Sequence, residues 1–119
     1  MKGHRDNTDY INDIITSIKE IDEFTKDMTY EIFFQDIKTR HAVVRCLEII
    51  GEAAKNISQD LKQKYPEIPW KKMAGTRDIL SHEYFGVDYK KVWEIKQKEL
   101  RNLKENIEKF IKEENIKIM

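Results

Sequence analysis

Apolar residues recur at three- and four-residue intervals through most of the chain, and nowhere do they alternate with the period of two that marks a strand. Tyr10, Ile11, Ile14, Ile15, Ile18, Ile21 and Phe24 form one such stripe, which predicts an amphipathic first helix capped by Thr8 or Asp9. The turn TKDMT comes next. Thr29 is a second cap, starting a short segment through Ile32, Phe33 and Phe34 that leads into a long helix from about Thr39 to Ile57.

The long helix carries two apolar seams side by side, one of Val43, Leu47, Ile50, Ala54 and Ile57, the other of Ala42, Cys46, Ile49 and Ala53. So wide an apolar face serves two neighbours, and the second is expected to be a partner chain. Gly51 costs about 1 kcal/mol against alanine inside a helix, so with Ala53 and Ala54 nearby it is expected at a close helix contact. Arg40, His41, Arg45, Glu48, Glu52 and Lys55 fill the remaining face, either as a solvated surface with internal ion pairs or as the wall of a site.

Ser58 can cap a short helix that ends before Pro66, and YPEIPW then puts Pro69 where a helix's first turn tolerates proline. The next helix should run from Pro69 to Tyr84, distorted or divided at Gly75 and Thr76. Gly86 stops it. Asp88 caps a last helix reaching about Asn115, with Trp93, Leu100, Leu103, Ile107 and Phe110 near heptad spacing. The fold class is therefore all-α, an up-and-down bundle of four or five helices, in a single domain spanning residues 1–119.

Composition narrows the function. Apolar residues at 39% and charged residues at 37% suit amphipathic helices with solvated faces. The 22 basic residues balance 22 acidic ones, so no overall field draws in nucleic acid and RNA binding has to come from a local patch. Cys46, the single cysteine, sits in an apolar pattern and reads as a buried structural thiol in a reduced compartment, without disulfide or zinc spacing. No apolar run approaches the ~18 residues of a membrane span, and MKGHRDNTDY has no signal core, so a cytoplasmic location is expected.

The densest chemistry lies in RDILSHEYFGVD, Arg77 to Asp88. On an ideal helix Asp78 and His82 share one stripe, while Arg77, Ser81 and Tyr84 share the adjacent one. Arg77 and His82 point about 140° apart on that geometry, so a joint site needs the arginine's reach, a loosened helix end before Gly86, or a second chain, which is the favoured solution. Taken alone, His82 reads as a capping or core histidine. Its company points elsewhere: a neutral imidazole can take a proton at pH 7, Asp78 could fix its tautomer, and Arg77 could bind a phosphate bidentately. Those are parts for metal-free phosphodiester cleavage in RNA, in which imidazole deprotonates a ribose 2′-OH and guanidinium stabilises charge on the phosphorus oxygens. Gly-rich phosphate loops, paired Cys/His spacing, nucleophile elbows, HExxH and EF-hand patterns are all absent.

Arg77, His82 and Tyr84 form an R-x4-H-x-Y signature followed by FGVD and by Val92-Trp93, with LEIIGEAAK at Leu47 to Lys55 and YPEIPW at Tyr65 to Trp70 upstream. In these blocks, in order, the chain resembles the HepT-like toxin family of the HEPN superfamily. The resemblance implies a HEPN-like bundle and a homodimeric, metal-independent RNA endonuclease that needs no cofactor. Such a protein would be the toxin of a toxin-antitoxin pair, acting on RNA such as tRNA or mRNA. Arg77 and His82 would carry catalysis in a cleft between protomers, with Asp78 and Ser81 in support. The partner would be a minimal nucleotidyltransferase antitoxin, and Tyr84 would be the hydroxyl it modifies with AMP. Asp78 stands where the family often has Asn, placing a carboxylate beside the phosphate-binding arginine. The alternative is a non-catalytic helical subunit presenting nucleotide or substrate to a nucleotidyltransferase; a structural dimer without activity is the blandest reading.

Overall fold

Five of the described helical segments open on a side chain that caps the first turn. The computed structural model describes residues 5–80 and 86–118, with positions 77–79 as helix backbone alone, and these residues form seven helical segments and no strand. Asp6 opens α1 (Asn7–Phe24) by accepting from the Asp9 amide, and the Asp9 carboxylate returns the bond to the Asp6 amide. The cap is thus Asp6, with Asp9 as the return arm, and Thr8 lies inside the helix. Thr29 caps α2 (Tyr30–Gln35) as expected, while Asp36 caps α3 (Ile37–Asn56) through the Thr39 amide at 3.0 Å and starts it two residues before Thr39.

Ser58 caps α4 (Gln59–Lys64), and its own amide donates to Asn7 at the start of α1. Next along the chain are α5 (Trp70–Leu80), then α6 (Tyr89–Lys98), capped by Asp88 through the Lys91 amide at 3.1 Å, and α7 (Leu100–Glu113). α2 and α4 are short connectors and α6 and α7 form one broken rod, so the long elements make a four-rod bundle. The break at Glu99 divides what the spacing predicts as one helix. Its carboxylate is held by Lys72 of α5 at 2.7 Å. α5 itself runs unbroken through Gly75 and Thr76, against expectation, because the buried stripe of Trp70, Met73 and Leu80 outweighs the roughly 1 kcal/mol propensity cost of one exposed glycine.

α3 is the centre of the bundle, with α1 packed along one side and α5 along another. Val43, Cys46, Leu47, Ile50, Gly51, Ala53 and Ala54 are buried there. Within the chain, the double seam therefore has α1 and α5 as its two neighbours, while Ala42 and Ile49 stay half-buried. α2 crosses the bundle by inserting Phe33, whose ring lies 5.0 Å from Trp93 and 6.4 Å from Tyr89 of α6. Phe24 ends the α1 stripe beyond the core and is exposed, as are Ile32 and Phe34 on either side of Phe33.

Candidate functional site

The start of α5 and the start of α6 flank, along the chain, the stretch that holds the candidate residues. At the start of α5, the buried Trp70 indole N–H donates to the Tyr65 carbonyl at 3.1 Å, and both rings pack on Phe110 of α7 at 5.8 and 4.5 Å. Ile68 is buried in the same turn. YPEIPW is thus a knot that fastens the first residue of α5 to the bundle. From this origin the helix fixes which way each later position faces. Position 77 comes two turns after Trp70 and falls on the stripe of Trp70, Met73 and Leu80, all of them buried. Position 78 falls on the opposite flank with Lys71, Ala74 and Gly75, two of which are exposed. Arg77 and Asp78 are described as backbone only, and Ser81, His82 and Tyr84 lie outside the described residues.

Beyond them the chain resumes at Gly86, whose φ of +75° is the left-handed conformation that glycine adopts without strain. Asp88 then fixes the first turn of α6, and Tyr89 lies half-buried directly after it. The Tyr89 ring receives Arg40 from the first turns of α3, with the guanidinium carbon 4.5 Å from its centroid and 5.0 Å from that of Phe34. The start of α3 therefore meets the start of α6. The charged face of α3 separates into two parts in consequence. Arg45, Glu48 and Glu52 line a polar cleft with Arg5, Tyr10 and Asp13, where Arg5 pairs with Asp13 at 2.7 Å and Arg45 with Glu48 at 3.6 Å. Arg40 lies apart from these carboxylates, between rings.

Cys46 is buried and its Sγ–H donates to Glu20 at 3.6 Å; burial, then the adjacent carboxylate, push the thiol up to about 11. It is the inert structural thiol its pattern predicts. Among the described residues no three His, Cys, Asp or Glu side chains converge as a metal-ligand set, and no helix is long and apolar enough to cross a membrane.

Residues 14–110 match the model of the family described as Ribonuclease HepT-like. The chain belongs to the HepT-like ribonuclease family. "Putative RNase MJ0125" of Methanocaldococcus jannaschii is 49% identical over 109 residues, covering 92% of this chain and 94% of that protein. "Probable ribonuclease HepT" of Thermococcus cleftensis is 48% identical over 108 residues, covering 91% and 98%. No solved structure gives a significant match. Membership in the HepT-like family gives the α5–α6 connection its interest, because the signature Arg77, His82 and Tyr84 spans it. The Arg40–Phe34–Tyr89 cluster was not legible in the sequence. Its members come from three helices and share no periodicity.

Proposed function

We propose that this chain is an RNA endonuclease acting as the toxin of a toxin-antitoxin pair, with Arg77 and His82 as its catalytic residues. The observation that carries this reading is the family match over most of the chain, joined to the R-x4-H-x-Y signature that the sequence carries from Arg77 to Tyr84. In the reaction, the His82 imidazole takes the proton of a ribose 2′-OH, the 2′-oxygen attacks the adjacent phosphorus, and the bond from phosphorus to the 5′-oxygen breaks. Arg77 stabilises the charge on the phosphorus oxygens, and the imidazolium returns a proton to the leaving oxygen. The products are a 2′,3′-cyclic phosphate and a 5′-hydroxyl. Asp78 and Ser81 support the pair, Asp78 by orienting the imidazole.

The angular separation of the two catalytic residues on a regular helix supports a composite site in a homodimer, one protomer supplying Arg77 and the other His82. Exposed Ile32 and Ile37 offer apolar surface for such an association. Neutralisation is by a minimal nucleotidyltransferase antitoxin that places AMP on Tyr84. The deciding experiment incubates wild-type protein and His82→Ala with RNA in the presence of a chelator. Cleavage by the wild type alone, leaving cyclic-phosphate ends, supports the endonuclease; equal cleavage by both, or by neither, refutes it.

A further inference from the structure

The basic residues of this protein are often matched by carboxylates: Arg5, Arg45, Lys64, Lys72 and Lys104 each form an ion pair. Arg40 is different. Its half-buried side chain lies 5.0 Å from the Phe34 ring and 4.5 Å from the Tyr89 ring, and its Nε is buried without a hydrogen-bond partner. Among the described residues no carboxylate pairs with it. Aromatic faces attract a guanidinium and fix its plane, but they do not accept its N–H bonds as a carboxylate would. A fork of donors, permanently charged and held in place ahead of any ligand, is suited to a phosphate or carboxylate from outside the protein.

The surroundings choose between those two anions. Lys90 Nζ lies 4.5 Å from the Tyr30 ring, and Tyr30 in turn lies 5.9 Å from Phe34, which is 46% exposed. Two cations and three rings thus form one chain of contacts, Lys90–Tyr30–Phe34–Arg40–Tyr89, across α2, the start of α3 and the start of α6. Single-stranded nucleic acid asks for this combination, since its phosphates need cations and its unpaired bases stack on aromatic faces. A chain of zero net charge can supply such a field only locally.

We propose that Arg40 is a substrate-binding residue that holds a backbone phosphate of single-stranded RNA at the edge formed by α2 and the starts of α3 and α6, with exposed Phe34 as a stacking surface for a neighbouring base. The inference rests on the ribonuclease reading and adds to it a residue outside the signature.

The test uses the full chain and a short fluorescent 2′-O-methyl oligoribonucleotide of mixed sequence, which lacks the nucleophile and so reports binding alone. Fluorescence anisotropy is followed across a series of salt concentrations. Arg40→Gln should weaken binding about tenfold and lower the slope of log affinity against log salt by about 0.7, the effect of one lost phosphate contact on a single strand. Arg40→Lys should keep the wild-type slope with a several-fold loss, because charge remains and the planar fork does not. Phe34→Ala should weaken binding at unchanged slope. Wild-type affinity and slope in a folded Arg40→Gln protein, while the wild type binds and cuts RNA, would overturn this proposal and leave the endonuclease standing. Should Arg40→Gln fail to fold, unchanged affinity in both Arg40→Lys and Phe34→Ala overturns it. Unaltered RNA binding with a changed oligomeric state in light scattering would assign the cation to a protein contact and also overturn it. A wild type that neither binds nor cuts RNA overturns both readings together.

Discussion

The Tyr65 hydroxyl donates to Oε2 of Glu114 at 2.5 Å, and Lys64 Nζ reaches the same oxygen at 2.8 Å. One carboxylate thereby ties the turn before α5 to the end of α7. Lys64 first, and then Tyr65, hold Glu114 below the ordinary carboxylate range, and the same bond pushes the phenol above its own. A carboxylate lowered in the folded state stabilises the fold above its unfolded value and loses that contribution as pH falls through the folded one. Glu114→Gln should therefore melt below wild type by a few degrees at neutral pH, with the gap closing under acid conditions. A gap that stays constant from neutral to strongly acidic pH in circular-dichroism melts would show that the charge on Glu114 is not what matters.

Arg77→Ala and His82→Ala should each reduce RNA cleavage by at least about 100-fold and abolish growth inhibition. Position 77 shares its helical register with the buried Trp70, Met73 and Leu80, so the fold of this variant is checked first. A melting temperature within a few degrees of wild type would accord with a catalytic arginine, whereas a collapse of helical signal would make it a structural one.

Tyr84→Phe keeps the ring and removes only the acceptor oxygen. It should remain toxic yet escape neutralisation by the nucleotidyltransferase, and intact-mass measurement after co-expression should find no AMP adduct. AMP on the Phe variant would shift the acceptor elsewhere, with Tyr89 the next candidate.

Asp88→Ala removes the cap of α6 and should cost about 1 kcal/mol, a drop of several degrees in melting temperature. Asp88→Asn should recover most of it. Because the cap sits between Gly86 and Tyr89, cleavage should fall further in the alanine variant than stability alone explains. Parallel melts and cleavage rates, with asparagine restoring both, would check this.

The sequence made the bundle legible where side chains act locally. Thr29, Ser58 and Asp88 are caps as read, and Gly86 takes the left-handed conformation that suits glycine, while the helix end expected just before it lies outside the described residues. It was less informative where distant residues compete. Gly75 promised a break that the packing of Trp70, Met73 and Leu80 suppresses, and a helix that looked continuous is interrupted at Glu99, for which the local pattern gave no sign. The double seam on α3 correctly announced two neighbours, but no pattern along one helix can say whether the second belongs to the same chain. For the site, the signature residues were visible as residue types and spacing. Arg40 was visible only as one more charge, because its rings arrive from α2 and α6.

The knot of Tyr65, Ile68 and Trp70 on Phe110 makes the intervening turns of α5 intolerant of changes in length. A single insertion between Trp70 and Arg77 would rotate every later position by about 100°, carrying position 77 off the stripe of Met73 and Leu80 while leaving the knot itself intact. The TKDMT turn has no such duty, since α2 is indexed afresh by its own Thr29 cap. Tolerance to insertion should therefore be high at residues 26–28 and nearly nil at 71–76, and an insertion library scored separately for folding and for toxicity would draw that boundary.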